Sequence, residues 1–342
     1  MIGSTLAGSL GAVLILLVLY DAIRTTLSAS SAGPITNHLM NAVWLLLLRI
    51  SRRYDSHALL AASGAWITVS LIVFWLFAAW LGWFLLFCGS PQAVVNSTSQ
   101  VTADLFQRAY YAGYTLTTLG YGDYVPGNDA WRIPPALAAA SGFFLFTLAI
   151  TYILNIVSNV TQKRQVALAI SALGQTPQRL LESTADEGTY QSLSNQLQQL
   201  QQSIGLVGQQ HLAFPILHYY HAADSDKALP LALARLYQSL SLVCFACPEV
   251  DSTTRTQLKI TQQVLDQFLD TLGRSFIRPA GEAPPIPELE AYAALPGVAK
   301  SAAELHDYLT SLERQKLLLA YVREDGWEWH DVWHATPGND QP

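Results

Sequence analysis

Seven consecutive residues, Thr117, Thr118, Leu119, Gly120, Tyr121, Gly122 and Asp123, carry the most specific chemistry in the chain. A cation entering a narrow passage gives up its water shell only where other oxygens replace it. Backbone carbonyls stacked in rings can supply them. Aiming successive carbonyls at one axis needs dihedrals that ordinary side chains avoid and glycine tolerates. Gly120 and Gly122 alternate with Leu119 and Tyr121, whose side chains then point back into protein and brace the loop. The Thr118 hydroxyl adds oxygens at the inner end. Asp123, just past the last glycine, puts a carboxylate at the outer mouth, where it gathers cations.

The heptapeptide resembles the potassium-channel signature Thr-x-Gly-Tyr-Gly-Asp, with leucine at the variable position. The resemblance implies potassium ions held by the carbonyls of Thr118, Leu119, Gly120, Tyr121 and Gly122, and no organic cofactor. It also implies a short pore helix over residues 108–116, with Tyr110, Tyr111, Tyr114 and Thr117 supporting the loop. The C-terminal dipole of that helix favours a cation in front of it. Gly142 sits where potassium channels commonly carry a hinge. One departure stands out: many relatives place a glutamate behind the filter to pair with the aspartate, and here that place falls on Tyr114. Either the filter inactivates differently or Asp123 takes the Tyr114 hydroxyl instead. The likeness covers roughly residues 57–162 and says nothing about the flanks.

Composition separates two halves. The chain has 342 residues, 51% hydrophobic and 13% charged, with a net charge of −6. Up to Gln162 there is no lysine and no glutamate, and the six arginines and five aspartates leave a net +1. The remainder therefore carries about −7. The first half reads as membrane and the second as a soluble, acidic domain. An acidic domain without a basic stripe argues against nucleic acid. Cys88, Cys244 and Cys247 do not suggest a disulfide framework.

The elements that position the heptapeptide follow from hydropathy. Residues 6–23 are apolar and long enough to span a bilayer. They are expected to remain as a helix, with Asp21 at the interface three residues from Arg24. Residues 39–50 are too short to span. Leu39, Val43, Leu47, Ile50 and Tyr54 form one stripe ending in Arg49, Arg52 and Arg53, which suits a helix lying in the inner interface and resembles the slide helix of some potassium channels. Residues 57–87 make a full, tilted crossing. Pro134 and Pro135 open a last apolar helix that is expected to run to about Val160. Basic residues flank the crossings on one side only, which places the filter loop outside.

The expected fold is therefore an all-α membrane protein. An N-terminal transmembrane helix and linker occupy 1–34, an amphipathic interfacial helix 35–56, a potassium-channel pore domain (outer helix, pore helix, filter, inner helix) 57–162, and a helical cytoplasmic domain 163–342. The N-terminus is expected outside and the C-terminus in the cytoplasm, in a cell membrane of the bacterial inner-membrane type. Only one filter is present, so four chains are needed to surround an ion, most simply as a homotetramer in the bilayer.

Phe146, Ile150, Leu154 and Ser158 recur at i, i+4 on the inner helix. Two readings fit them: a cavity wall with an apolar gate that closes by dewetting, or packing against lipid and other helices. In the soluble half, Tyr190, Leu193, Leu197, Leu200, Ile204 and Val207 form an a/d seam. It serves a bundle within one chain or a tetrameric coiled coil, and Gly205 and Gly208 are expected to end it. Cys244 and Cys247 with His218 and His221 have zinc-ligand spacing, but two buried cysteines explain the pair equally well. His330 and His334 among Trp327, Trp329 and Trp333 suit a pocket or an aromatic cap on the bundle. No glycine-rich nucleotide loop follows a strand, and no motif names a cytoplasmic ligand.

Overall fold

The computed structural model describes residues 2–28, 32–54 and 62–335. The chain is an all-α membrane protein in two units. One unit comprises Met1–Leu46 with Ala65–Ile156, the other Leu47–Gly64 with Val157–Pro342. The expected first residues of the outer helix, 57–61, and the side chains of Arg52, Arg53 and Tyr54 lie outside the described residues.

The first unit is built from α1 (Ile2–Leu27), the start of α2 (Pro34–Tyr54), α3 (Ser63–Phe87), the short α4 (Leu105–Leu116) and the start of α5 (Ile133–Ser171). Strands β1 (Val95–Asn96) and β2 (Tyr124–Val125) pair antiparallel around the loop that follows α4. Helices α1, α3 and α5 are each long and apolar enough to cross a membrane. Helix α5 is longer than expected: at 39 residues it runs about 58 Å and passes Val160 by three turns. The reason is that its apolar pattern does not stop there. Val166, Ala167 and Ile170 are buried in the core of the second unit.

Asp21 is not paired with Arg24 at an interface. Its carboxylate is fully buried and caps the N-terminus of α2, accepting from the amides of Ile35 (2.9 Å) and Thr36 (3.2 Å) and from the Thr36 hydroxyl (2.5 Å). The Trp75 indole of α3 donates to the same group at 3.1 Å. Arg24 instead donates to the Tyr20 hydroxyl. Helix N-termini attract carboxylates because their first amides lack partners and carry partial positive charge. One aspartate thus joins three helices. Higher up, α1 meets α3 where a Cβ on Gly11 would lie 2.5 Å from the Gly82 carbonyl, the close approach small residues allow between apolar helices. Helix α2 starts earlier than the stripe suggested and is 21 residues long. Thr36 and Met40 are fully buried, while Leu39, Val43 and Leu47 are half-buried.

The second unit is a helical bundle: α6 (Pro177–Thr184), α7 (Gln191–Ala213), α8 (Leu229–Ala246), α9 (Ser252–Ser275), α10 (Glu290–Ala293), α11 (Ala302–Ser311), α12 (Gln315–Glu324) and α13 (His330–Trp333). Thr176 and Asp251 cap α6 and α9 with their side chains. Helix α8 is by composition also long and apolar enough to span a membrane. Its residues are instead almost all buried among α6, α9, α11, α12 and α13, which explains apolarity on every side. Tyr190, Leu193, Leu197, Leu200, Ile204 and Val207 all lie in this single-chain core. Gly205 and Gly208 do not end α7, which continues to Ala213.

Two stability measurements check this reading. Asp21→Ala leaves two helix-start amides and a buried indole without an acceptor, so unfolding in detergent should cost about 3 kcal/mol less; an unchanged midpoint contradicts the junction. Gly205 has open space around a built Cβ, so Gly205→Ala should stabilise the bundle by about 0.5–1 kcal/mol.

Candidate functional site

The loop begins at the end of α4. Asp104 and Gln107 start that helix with a reciprocal capping box, three residues before the expected beginning. The Asp-x-x-Gln spacing carries this signal in the sequence. Thr117 closes the helix: its hydroxyl donates to the Gly113 carbonyl at 3.0 Å. The next amides turn back onto the helix end. Thr118 donates to the Thr115 carbonyl (3.0 Å), and Leu119 (2.9 Å) and Gly120 (3.5 Å) both donate to the Tyr114 carbonyl.

The backbone then alternates in handedness. Thr118, Gly120 and Gly122 have φ of +62°, +58° and +79°, whereas Leu119 and Tyr121 between them keep negative φ. In a strand, successive carbonyls point to opposite sides; a regular change of sign turns successive peptide planes the same way. Among the described residues, no hydrogen bond ends on the carbonyls of Thr118, Leu119, Gly120, Tyr121 or Gly122. The first three amides, of Thr118, Leu119 and Gly120, are satisfied by protein while the carbonyls are left over, the reverse of a helix N-terminus. The need for positive φ at Thr118 was not legible, since a β-branched residue there is unusual.

Aromatic rings stand behind the loop. Tyr121 stacks on Tyr110 (6.3 Å, 13°) and meets the edge of Tyr114 (5.9 Å). Tyr111 packs against Tyr114 and against Phe87 of α3. Within one chain Leu119 and Tyr121 remain 62% and 67% exposed. The Tyr114 hydroxyl donates to the Tyr124 carbonyl at 2.8 Å and not to Asp123. The Asp123 carboxylate accepts from the Tyr124 amide, and its own carbonyl accepts from Ser97. The pairing of β1 with β2 explains this: it fixes Tyr124 directly over Tyr114.

Arg108 is a positioning residue the sequence reading passed over. It is buried, and its guanidinium donates to the carbonyls of Ala103 (2.9 Å), Ser90 (2.7 Å), Pro91 (3.2 Å) and Phe87. Phe87 ends α3, so a cation sits on the unpaired carbonyls of a helix C-terminus. Trp80 and Trp83 add two more ties, to the Ala109 carbonyl and the Ser141 hydroxyl, both 3.0 Å.

Gly142 does not break α5, which is continuous through it. Its requirement is contact: a Cβ there would lie 1.8 Å from the Leu116 carbonyl oxygen at the end of α4. On the same helix Phe146, Ile150, Leu154 and Ser158 are all exposed in a single chain, while Leu145, Ala149, Tyr152 and Ile156 are buried.

The second unit does not bring the zinc candidates together. His218 and His221 face Glu324 and Asp325. Cys247 is buried, with its thiol pushed up to about 11 by burial, which disfavours the thiolate a metal needs. Among the described residues no group of three or more His, Cys, Asp or Glu is placed to hold a metal. His330 and His334 stack on each other at the surface, and Trp333 packs on Tyr292 in the core.

Gly142→Ala should force α5 off the end of α4. The clash is with a backbone oxygen that cannot rotate away, so a loss of about 3 kcal/mol in unfolding free energy is expected. A variant with wild-type stability and assembly contradicts the close approach.

Comparison with known proteins agrees with this geometry. Residues 70–159, which hold most of α3, all of α4, the loop and the first part of α5, match the ion channel family. The chain is also 28% identical over 323 residues to YdjJ of Bacillus subtilis (strain 168), an uncharacterized membrane protein, covering 93% of this chain and 94% of that one. No solved structure matches. The family match supports an ion-channel domain in a membrane protein whose likeness to YdjJ extends over both flanks.

Proposed function

We propose that four copies of this chain form a potassium-selective channel that conducts passively across the cell membrane. The loop of Thr118 to Gly122 is its selectivity filter, and α3, α4 and α5 are its outer, pore and inner helices. The observation that carries the reading is the alternation of φ at Thr118, Gly120 and Gly122 together with carbonyls that accept no hydrogen bond from the described residues. Such oxygens need a partner, and a partly dehydrated cation on a shared axis is one. The exposed Leu119 and Tyr121 are then covered by neighbouring subunits.

In this arrangement the filter faces outward, Asp123 rings its outer mouth, and the C-terminal bundle lies in the cytoplasm. Phe146, Ile150 and Leu154 line the inner cavity. No step of catalysis is required, since the ion moves down its own gradient.

Reconstituted protein in planar bilayers with potassium on one side and sodium on the other tests the proposal. The reversal potential should lie near that of potassium. Gly120→Ala and Gly122→Ala should each abolish selectivity or current, because a side chain in the left-handed region costs about 1–2 kcal/mol in every subunit. A reversal potential near zero in the wild type points to a weakly selective cation channel, and normal currents in both variants remove the filter assignment.

A further inference from the structure

The turn Pro215–Tyr219 and the two residues after it hold the ends of both long helices at once. Lys163 of α5 is buried, and its ammonium donates to the carbonyls of Tyr220 (2.8 Å) and Leu217 (3.4 Å). In the first turn of α3, the Ser63 hydroxyl donates to the Tyr219 carbonyl at 2.8 Å. The Tyr220 ring covers Gly64 so closely that a Cβ there would lie 2.4 Å from it. The helix that begins at Ser63 and the helix that ends at Ser171 are therefore tied to the same short stretch of backbone.

Two histidines of this stretch face carboxylates where α12 ends. His218 Nε2 is 3.0 Å from Glu324 Oε2, and His221 Nδ1 is 2.8 Å from Asp325 Oδ1. Asp325 is buried, and among the described lysines and arginines the nearest is Lys163, 3.9 Å away. Its second oxygen, Oδ2, is buried with no hydrogen-bond partner among the described residues. Among the described residues, other titratable groups facing the stretch are held away from neutral pH. His211 of α7 is held down at about 3 by burial, with Lys163 adding to the effect. The Tyr219 hydroxyl is pushed up by burial and by Glu324, and Tyr321 is pushed up by burial and by Asp325 and Glu324. Arg164, beside Lys163, is exposed. Phe276 covers one face of His218 (5.7 Å, 19°). With both imidazoles neutral, Lys163 is the one cation among the described residues paired with Asp325 and Glu324, and a proton on the histidines adds positive charge facing both carboxylates.

We propose that residues 215–221 are a proton-sensitive clasp on the two pore helices. Protonation of His218 and His221 turns two neutral contacts into charge-assisted ones and tightens the clasp, and loss of those protons loosens it. This rests on the channel reading for its consequence, which is gating by cytoplasmic pH, while the clasp itself does not. Imidazole is the side chain whose charge changes between about pH 5 and 8. Charge-assisted hydrogen bonds are roughly twice as strong as neutral ones.

The test uses the full-length protein in lipid nanodiscs and in bilayers. Amide protection of residues 215–221, corrected for the intrinsic exchange rate, should rise about tenfold from about pH 8 to about pH 5.5. The rise should be lost in the double variant His218→Asn, His221→Asn, while protection of α8 stays unchanged and shows that the bundle is folded. In bilayers, open probability should shift about tenfold over the same range on the cytoplasmic side, with unitary conductance and ion selectivity constant, and the double variant should not shift. Protection that does not change with pH in the wild type, or that changes equally in the double variant, overturns the clasp. A pH-dependent protection that the variant abolishes, in a protein that passes no potassium, upholds the clasp and refutes the channel. A potassium-selective current indifferent to pH upholds the channel and overturns gating by the clasp.

Discussion

The first unit depends on one constraint: a stretch of main chain must keep its carbonyls without protein partners and still hold a single shape. Hydrogen bonds fix backbone conformation in helices and strands because donors and acceptors are both used. From Thr118 to Gly122 only some of the donors are used, at the end of α4. The shape must then come from what surrounds the loop. Tyrosines 110, 114 and 121 pack behind it, the Tyr114 hydroxyl holds the return strand, and Gly142 lets α5 press directly on the carbonyl of Leu116. The unfavourable dihedral at Thr118 persists because its neighbours leave it no alternative.

The rest of the membrane unit holds that assembly in place by satisfying helix ends. Arg108 occupies the C-terminus of α3 and Asp21 the N-terminus of α2. In an apolar medium every unpaired backbone group is costly, so a buried charge placed on a helix end answers two needs at once. The cation goes to the free carbonyls and the anion to the free amides, as the helix dipole favours. In both cases the charge reaches across elements: Asp21 binds α1 to α2 and α3, and Arg108 binds α4 to α3 and the segment that follows it.

Much of this was legible in the sequence and some was not, for identifiable reasons. The crossings follow from uninterrupted apolar runs, the start of α5 from Pro134 and Pro135, and the loop from alternating glycines, all of them local signals. The partners of Asp21 and Arg108 lie up to 54 residues away in the chain, and no period announces such a pair. Asp21 near the end of an apolar run looks like an interfacial residue until Thr36 and Trp75 are brought to it. Gly142 gives the same letter for a hinge and for a close contact; only the position of the Leu116 carbonyl separates them. The length of α5 was underestimated because Lys163 reads as the edge of a membrane, whereas it is buried against the carbonyls of Leu217 and Tyr220. In the bundle, the seam on α7 was readable, but the near-complete burial of α8 was not, since burial on every side erases amphipathic pattern.

The central claim is that these unpaired carbonyls exist to replace an ion's water. Diffraction from the assembled protein grown with thallium, a potassium substitute with strong anomalous scattering, tests it most directly. A row of anomalous peaks on a fourfold axis, bounded by the carbonyls of Thr118 to Gly122, is the predicted result. Four subunits whose filter carbonyls surround no peak, or an assembly in which no common axis passes through these residues, would contradict it.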